Sequence, residues 1–149
     1  MPTLHHAGMT VSDLDRALSF WRDALGMETV VDQESRGGYF EAIVGERDVV
    51  VRTHHLAFGG EGARVELFEF VSPAGGRHQS RPADVGFAHV CVAVESGLDE
   101  LVARLLRAGG STATPDPVVI DRGANAGGRA LYLRDPDGHV LELFEPPAR

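Results

Sequence analysis

The chain contains the same plan twice, and that duplication restricts its architecture more than any other feature. Residues 4–25 read as a strand, a cap and an amphipathic helix that stops at Gly26; residues 87–108 repeat this and stop at Gly109. A constant offset of 83 takes His6 to His89, Val11 to Val94, Leu18 to Leu101 and Gly26 to Gly109. Both halves also close alike, on Glu66-Leu67-Phe68-Glu69 and Glu142-Leu143-Phe144-Glu145. Each half therefore carries one histidine on its first strand and a glutamate on its last. Repeats of a supersecondary unit imply that neither copy buries its apolar face alone.

At 149 residues one core is the natural expectation, and two small modules can share it. The balance of 14 basic against 22 acidic residues, net −8, with the cations scattered, argues against a nucleic-acid partner. Anionic small molecules stay open, because a bound cation would reverse the local sign. The single cysteine, Cys91, has no intrachain partner, which fits a reducing compartment. The N-terminus lacks a signal peptide's basic and apolar regions, and no apolar run approaches a bilayer span of about 20 residues. A soluble, cytoplasmic protein with no membrane partner is expected.

The first module, residues 1–71, reads βαβββ. Strand one covers Leu4–Val11, and Ser12 is the expected N-cap, with Asp13 and Asp15 in the first turn to meet the helix dipole. Leu14, Ala17, Leu18, Trp21 and Leu25 recur at helical spacing. Strands are expected at Glu28–Asp32, at Tyr39–Val44 with Val49–Phe58, and at Arg64–Val71, the last two joined through Gly59-Gly60-Glu61-Gly62. Residues 72–86 have a linker's composition. The second module, residues 87–149, repeats the order: a strand at Phe87–Val94, a helix at Leu98–Ala108, a short strand near Val118–Ile120, and a hairpin of Arg129–Arg134 with His139–Phe144. The hairpin turns at Asp135-Pro136-Asp137-Gly138.

Strand alternation then sorts the polar residues. Met9 and Val11 can pack on the helix, which leaves His6 on the reverse face; Val90, Val92 and Val94 do the same for His89 and Cys91. On the closing strands, Glu66 and Glu142 lie opposite the leucines, whereas Glu69 and Glu145 share the leucines' face. If the two sheets curve toward each other, His6, Glu66, His89 and Glu142 meet inside a cup. Two carboxylates buried together would repel and take up protons unless compensated. One divalent ion removes the conflict, and two imidazoles plus two carboxylates suit Zn, Ni, Co, Mn or Fe(II). Singly, either histidine is as readily a core or surface residue; the matched set favours ligation.

The ordered features His6-x-Gly-x-x-Val, the run from Ser12 to Gly26, Val65-Glu66-Leu67, Ala88-His89-Val90 and Asp135-Pro136-Asp137-Gly138-His139-x-x-Glu142-Leu143 resemble the vicinal-oxygen-chelate superfamily over essentially the whole chain. That resemblance implies an α+β fold of two βαβββ modules forming an open, cup-shaped mixed β-barrel around a metal site. It places the ligands at His6, Glu66, His89 and Glu142, a set similar to that of glyoxalase I. It further implies a homodimer, and a small-molecule substrate with two adjacent oxygens that is converted through an enolate or enediolate. Glu142 or Glu66 would be the base that moves the proton, in a glyoxalase-like lyase, isomerase or epimerase. Two rivals use the same fold: an Fe(II) dioxygenase at the same site, and a non-catalytic module that binds an antibiotic or other small molecule. The modules could pair within one chain or between two, and the linker permits both.

Other residues have plainer readings. Of the adjacent His54 and His55, one must face the cup, for substrate contact or acid–base help, although a rim position is the simpler expectation. Cys91 reads as a small buried side chain. Arg16, Arg77, Arg122 and Arg129 could meet an anion but read individually as solvated charges. Asn125, in a glycine-rich loop, and His139, beside a turn, complete the group.

Overall fold

The computed structural model describes residues 1–148, which divide into two compact units, the first Met1–His78 and the second beginning at Gln79. The class is α+β, with one sheet in each unit.

In the first unit, β1 (His6–Thr10), β2 (Glu28–Arg36), β3 (Val50–Ala57) and β4 (Arg64–Ser72) form a sheet in the order β1-β4-β3-β2. The first and last strands run parallel, and the other pairs are antiparallel. Helix α1 (Leu14–Leu18) continues as a π-helical turn over Ser19–Ala24. The cap differs from expectation by one residue. Asp13, in extended backbone, accepts from the Arg16 amide at 2.9 Å, while Ser12 Oγ accepts from the Arg16 guanidinium at 2.7 Å. Asp13 therefore satisfies a helix-end amide that Ser12 was expected to satisfy.

Tyr39–Val44, expected as a strand, is a helix, α2. Gly38 precedes it at φ 66° and Gly45 ends it in the left-handed region at φ 73°. Two glycines that can take positive φ bracket a six-residue run, apolar except for Glu41, whose length alone does not separate strand from helix. The Glu41 carboxylate ties the helix down by accepting from the Val49 amide at 3.0 Å. Phe40 packs between Phe68 and Phe70, with ring centroids 5.7 and 6.1 Å away.

The second unit repeats the plan. β5 (His89–Ala93), β6 (Ser111–Thr112), β8 (Arg129–Arg134) and β9 (Val140–Glu145) lie in the order β5-β9-β8-β6, with β7 (Val118–Val119) also paired to β8. Again the first and last strands are parallel. Helix α3 spans Leu98–Arg107. Strand β6 was not expected from the sequence. Among the described residues, no helix is long and apolar enough to cross a membrane.

One face of each sheet is closed by its helix. Leu14, Phe20, Trp21, Leu56 and Leu67 are fully buried in the first unit, as are Leu98, Leu105, Leu133, Leu141 and Leu143 in the second. A charged clamp fastens each helix start to its sheet on this face. Arg52 bridges Glu69 at 2.8 Å and Asp15 at 3.1 Å. Arg129 bridges Glu145 at 2.6 Å and Asp99 at 3.0 Å. Each arginine is held above its ordinary pKa, Arg52 chiefly by its bond to Asp15 and Arg129 chiefly by its bond to Glu145. Trp21 is the largest fully buried side chain, and Trp21→Ala should cost about 3–5 kcal/mol. Urea unfolding of the chelator-treated protein measures this; a loss under about 1 kcal/mol would show that the site collapses around the smaller residue.

Candidate metal centre

The parallel pairing of first and last strands sets the geometry of both candidate pairs. Gly8 stands opposite Glu66 and Cys91 opposite Glu142, so His6 and His89 sit two residues back along the neighbouring strand, on the same face. His6 Nε2 lies 2.9 Å from Glu66 Oε2, and His89 Nε2 lies 3.0 Å from Glu142 Oε2. Each unit therefore brings its own histidine and glutamate together. Glu69 and Glu145 are on the opposite face, engaged by Arg52 and Arg129.

Among the described residues, no group of three or more His, Cys, Asp or Glu side chains is arranged to hold an ion. The pairs nevertheless have suitable donors and spacing. Two ligands at about 2.1 Å from an octahedral ion and at right angles would be about 3.0 Å apart, close to both observed contacts. Imidazole nitrogen with carboxylate oxygen is also the donor chemistry of first-row divalent ions.

The surroundings of the two pairs differ. In the first unit, Glu66 is 8% exposed and its second oxygen, Oε1, lies 2.8 Å from His55 Nε2. His55 is also buried, and burial pushes its imidazole below the ordinary value against the pull of Glu66. His5 Nδ1 lies 2.8 Å from His6 Nδ1, so the nitrogen of His6 remote from Glu66 is also engaged. The reading of the sequence assigned His5 no role. His54 points to the other side of β3, with Nε2 2.9 Å from Asp32 Oδ1. Of the adjacent histidines, His55 therefore shares the face of the candidate pair.

In the second unit, the Cys91 thiol donates to Glu142. Tyr132 stands opposite Glu142 in the ladder, with its ring 5.1 Å from that of His89. Burial and the Glu142 charge raise the tyrosine's pKa. Cys91, expected to be buried, is an exposed residue, and partial desolvation of its thiol together with the Glu142 charge pushes it up to about 11. Arg129 belongs to the helix clamp, Arg122 pairs with Asp121 at 3.1 Å, and Arg16 and Arg77 donate to Ser12. Asn125 is exposed, and its carbonyl accepts from the Gly128 amide within its loop.

The chain belongs to the Glyoxalase/Bleomycin resistance protein/Dioxygenase superfamily, whose model matches residues 3–143. It is 30% identical to the 2-epi-5-epi-valiolone epimerase of an Actinomyces species over 148 residues, 97% of this chain and 80% of that protein. It is 28% identical to the metallothiol transferase FosB of Shouchella clausii over 141 residues, 94% and 77% of the two chains. A glyoxalase family protein from Bacillus cereus shares the fold at a TM-score of 0.84 and 23% identity, over 99% of this chain and 96% of that one.

The raised thiol gives a direct check in the metal-free protein. At pH 9 about half of an ordinary cysteine of pKa 9.0 is thiolate, against roughly 1% of Cys91. The scarcer thiolate outweighs its greater intrinsic nucleophilicity, so iodoacetamide should alkylate Cys91 about fivefold more slowly than a free cysteine peptide. Glu142→Gln removes the charge and should speed the reaction; an unchanged rate would show that Glu142 does not act on the thiol.

Proposed function

We propose that this chain is a divalent-metal-dependent enzyme of the isomerase, epimerase or lyase type, acting on a small substrate with two adjacent oxygens. One observation carries the reading: a matched His–Glu contact in each unit, 2.9 and 3.0 Å long, at the spacing of neighbouring ligands on one ion. His6, Glu66, His89 and Glu142 would be the ligands, and Zn, Ni, Co, Mn and Fe(II) are the ions this donor set accepts. A bound cation would supply Lewis-acid polarisation of the two substrate oxygens. An epimerase among the relatives supports chemistry at a stereocentre.

The protein's own residues divide the remaining work. Glu142 carries the proton to and from the carbon beside the polarised oxygen. Its carboxylate receives a thiol hydrogen bond from Cys91, and a thiol is a weak donor, so the group gives up little when it swings toward substrate. Glu66 is held through both oxygens by imidazoles and remains a fixed ligand. Phe68 extends the site face beyond Glu66 and, backed by Phe40, offers an apolar wall.

Protein purified without chelators should contain about one divalent ion per chain, measured by elemental analysis. With a panel of 2-hydroxyketones and thiol hemithioacetals in D2O, the loaded protein should exchange the proton beside the carbonyl, and chelation should abolish exchange. Glu142→Gln should slow exchange roughly 10²- to 10⁴-fold while weakening the ion's binding only partly. Undiminished exchange in that variant would remove Glu142 from the role. Oxygen uptake restored only by ferrous ion would favour the dioxygenase reading instead, and absence of stoichiometric metal would favour a binding module.

A further inference from the structure

We propose that His55 is a positioning residue for the metal centre. Its Nε2–H grips Glu66 Oε1, so the carboxylate presents Oε2 alone beside His6. The inference rests on the metal-dependent reading above and deepens it by assigning a residue that holds a ligand without being one.

Three observations carry it. First, Glu66 divides its oxygens between two partners: Oε2 lies 2.9 Å from His6 Nε2 and Oε1 lies 2.8 Å from His55 Nε2. Since a carboxylate only accepts, each imidazole must donate or the contact is lost. A cation replacing the proton shared by His6 and Glu66 would still leave the His55 bond intact. Second, the ladder fixes His55 in place. It lies directly opposite Glu66 in the β3–β4 pairing, is 8% exposed, and its ring meets that of His6 edge-on at 5.5 Å. It therefore has little freedom to turn away, and it contacts both members of the pair. Third, the duplication supplies an internal control. The matching position opposite Glu142 is Tyr132, and the thiol that contacts Glu142 comes from Cys91, which corresponds to Gly8 in the first unit. The repeat as such does not require an imidazole there, so His55 belongs to what distinguishes the first pair from the second.

A partner that fixes the idle oxygen of a ligating carboxylate orients it and restricts it to one coordinating atom. Loss of such a partner typically weakens metal binding by roughly 10- to 100-fold. His55→Leu keeps much of the volume and removes the donor, whereas His55→Gln restores an N–H at similar reach. Binding of Co²⁺ is measured by competition with a chromophoric chelator, together with its visible d–d spectrum. The proposal expects His55→Leu to weaken Co²⁺ binding by at least tenfold and alter the spectrum, and His55→Gln to recover most of both, with circular dichroism showing the native fold in each metal-free variant. Equal affinity and an identical spectrum in wild type and His55→Leu would overturn the proposal while leaving the metal-dependent reading intact. A wild-type protein that binds no Co²⁺ would overturn both. As a check needing no variant, ¹⁵N NMR of the Zn²⁺-loaded protein should show His55 with a proton on Nε2. A deprotonated, metal-shifted Nε2 would make His55 a ligand and overturn the positioning role.

Discussion

Parallel pairing of the first and last strand in each unit is the constraint on which the candidate site depends. A hairpin can bring together only residues near each other in the chain, whereas this pairing places His6 beside Glu66 and His89 beside Glu142 from opposite ends of their modules. The intervening helix and strands make the crossover that parallel strands require. The register does the rest: a shift of one residue on β4 would turn Glu66 toward the helix and expose Leu67 on the site face. The leucine is fully buried, so the apolar core enforces the placement of the carboxylate on the reverse side.

The two glutamates of each closing strand consequently have opposite duties. Glu69 and Glu145 lie on the helix face, where an uncompensated carboxylate would oppose packing, and an arginine from the adjacent strand neutralises each while reaching the acidic first turn of the helix. Glu66 has no arginine among these contacts; it has imidazoles. A neutral imidazole can donate to a carboxylate without cancelling its charge. The helix-side acids thus serve structure, and the site-side acids face imidazoles instead of guanidinium groups.

Much of this was legible in the sequence, because the duplication and the parity of the strands fixed which faces carry His6, Glu66, His89 and Glu142. The positions of His55 and Tyr132 opposite the two glutamates were legible in principle. Counted outward from the turn around Gly60 and Glu61, His55 and Glu66 are equidistant, and Tyr132 and Glu142 are equidistant from Asp137. What the residue pattern did not disclose was α2. Its six residues are as apolar as a strand, and only the paired glycines and the Phe40 contacts with Phe68 and Phe70 decide for a helix. The shift of the cap from Ser12 to Asp13 has a similar origin, since two good capping residues stand side by side and the backbone angle at Asp13 selects between them. His5 escaped notice because its partner is its immediate neighbour, a contact that strand alternation alone would forbid.

The two halves have kept their architecture and parted in their chemistry. The first unit has Gly8 at a crowded position, where an added Cβ would lie 3.1 Å from the Phe68 ring and 3.7 Å from Glu66 Oε2. The second unit fills the matching position with a thiol that donates to its glutamate. Where the first unit puts a buried imidazole opposite its glutamate, the second puts a partly exposed phenol. One carboxylate is thereby gripped at both oxygens by strong donors, and the other is held by an imidazole and a weak one. Under the metal-dependent reading proposed above, retaining an ion and moving a proton would need one acid that stays and one that yields. Divergence at just these neighbouring positions would supply that asymmetry while both sheets keep the parallel pairing of first and last strands.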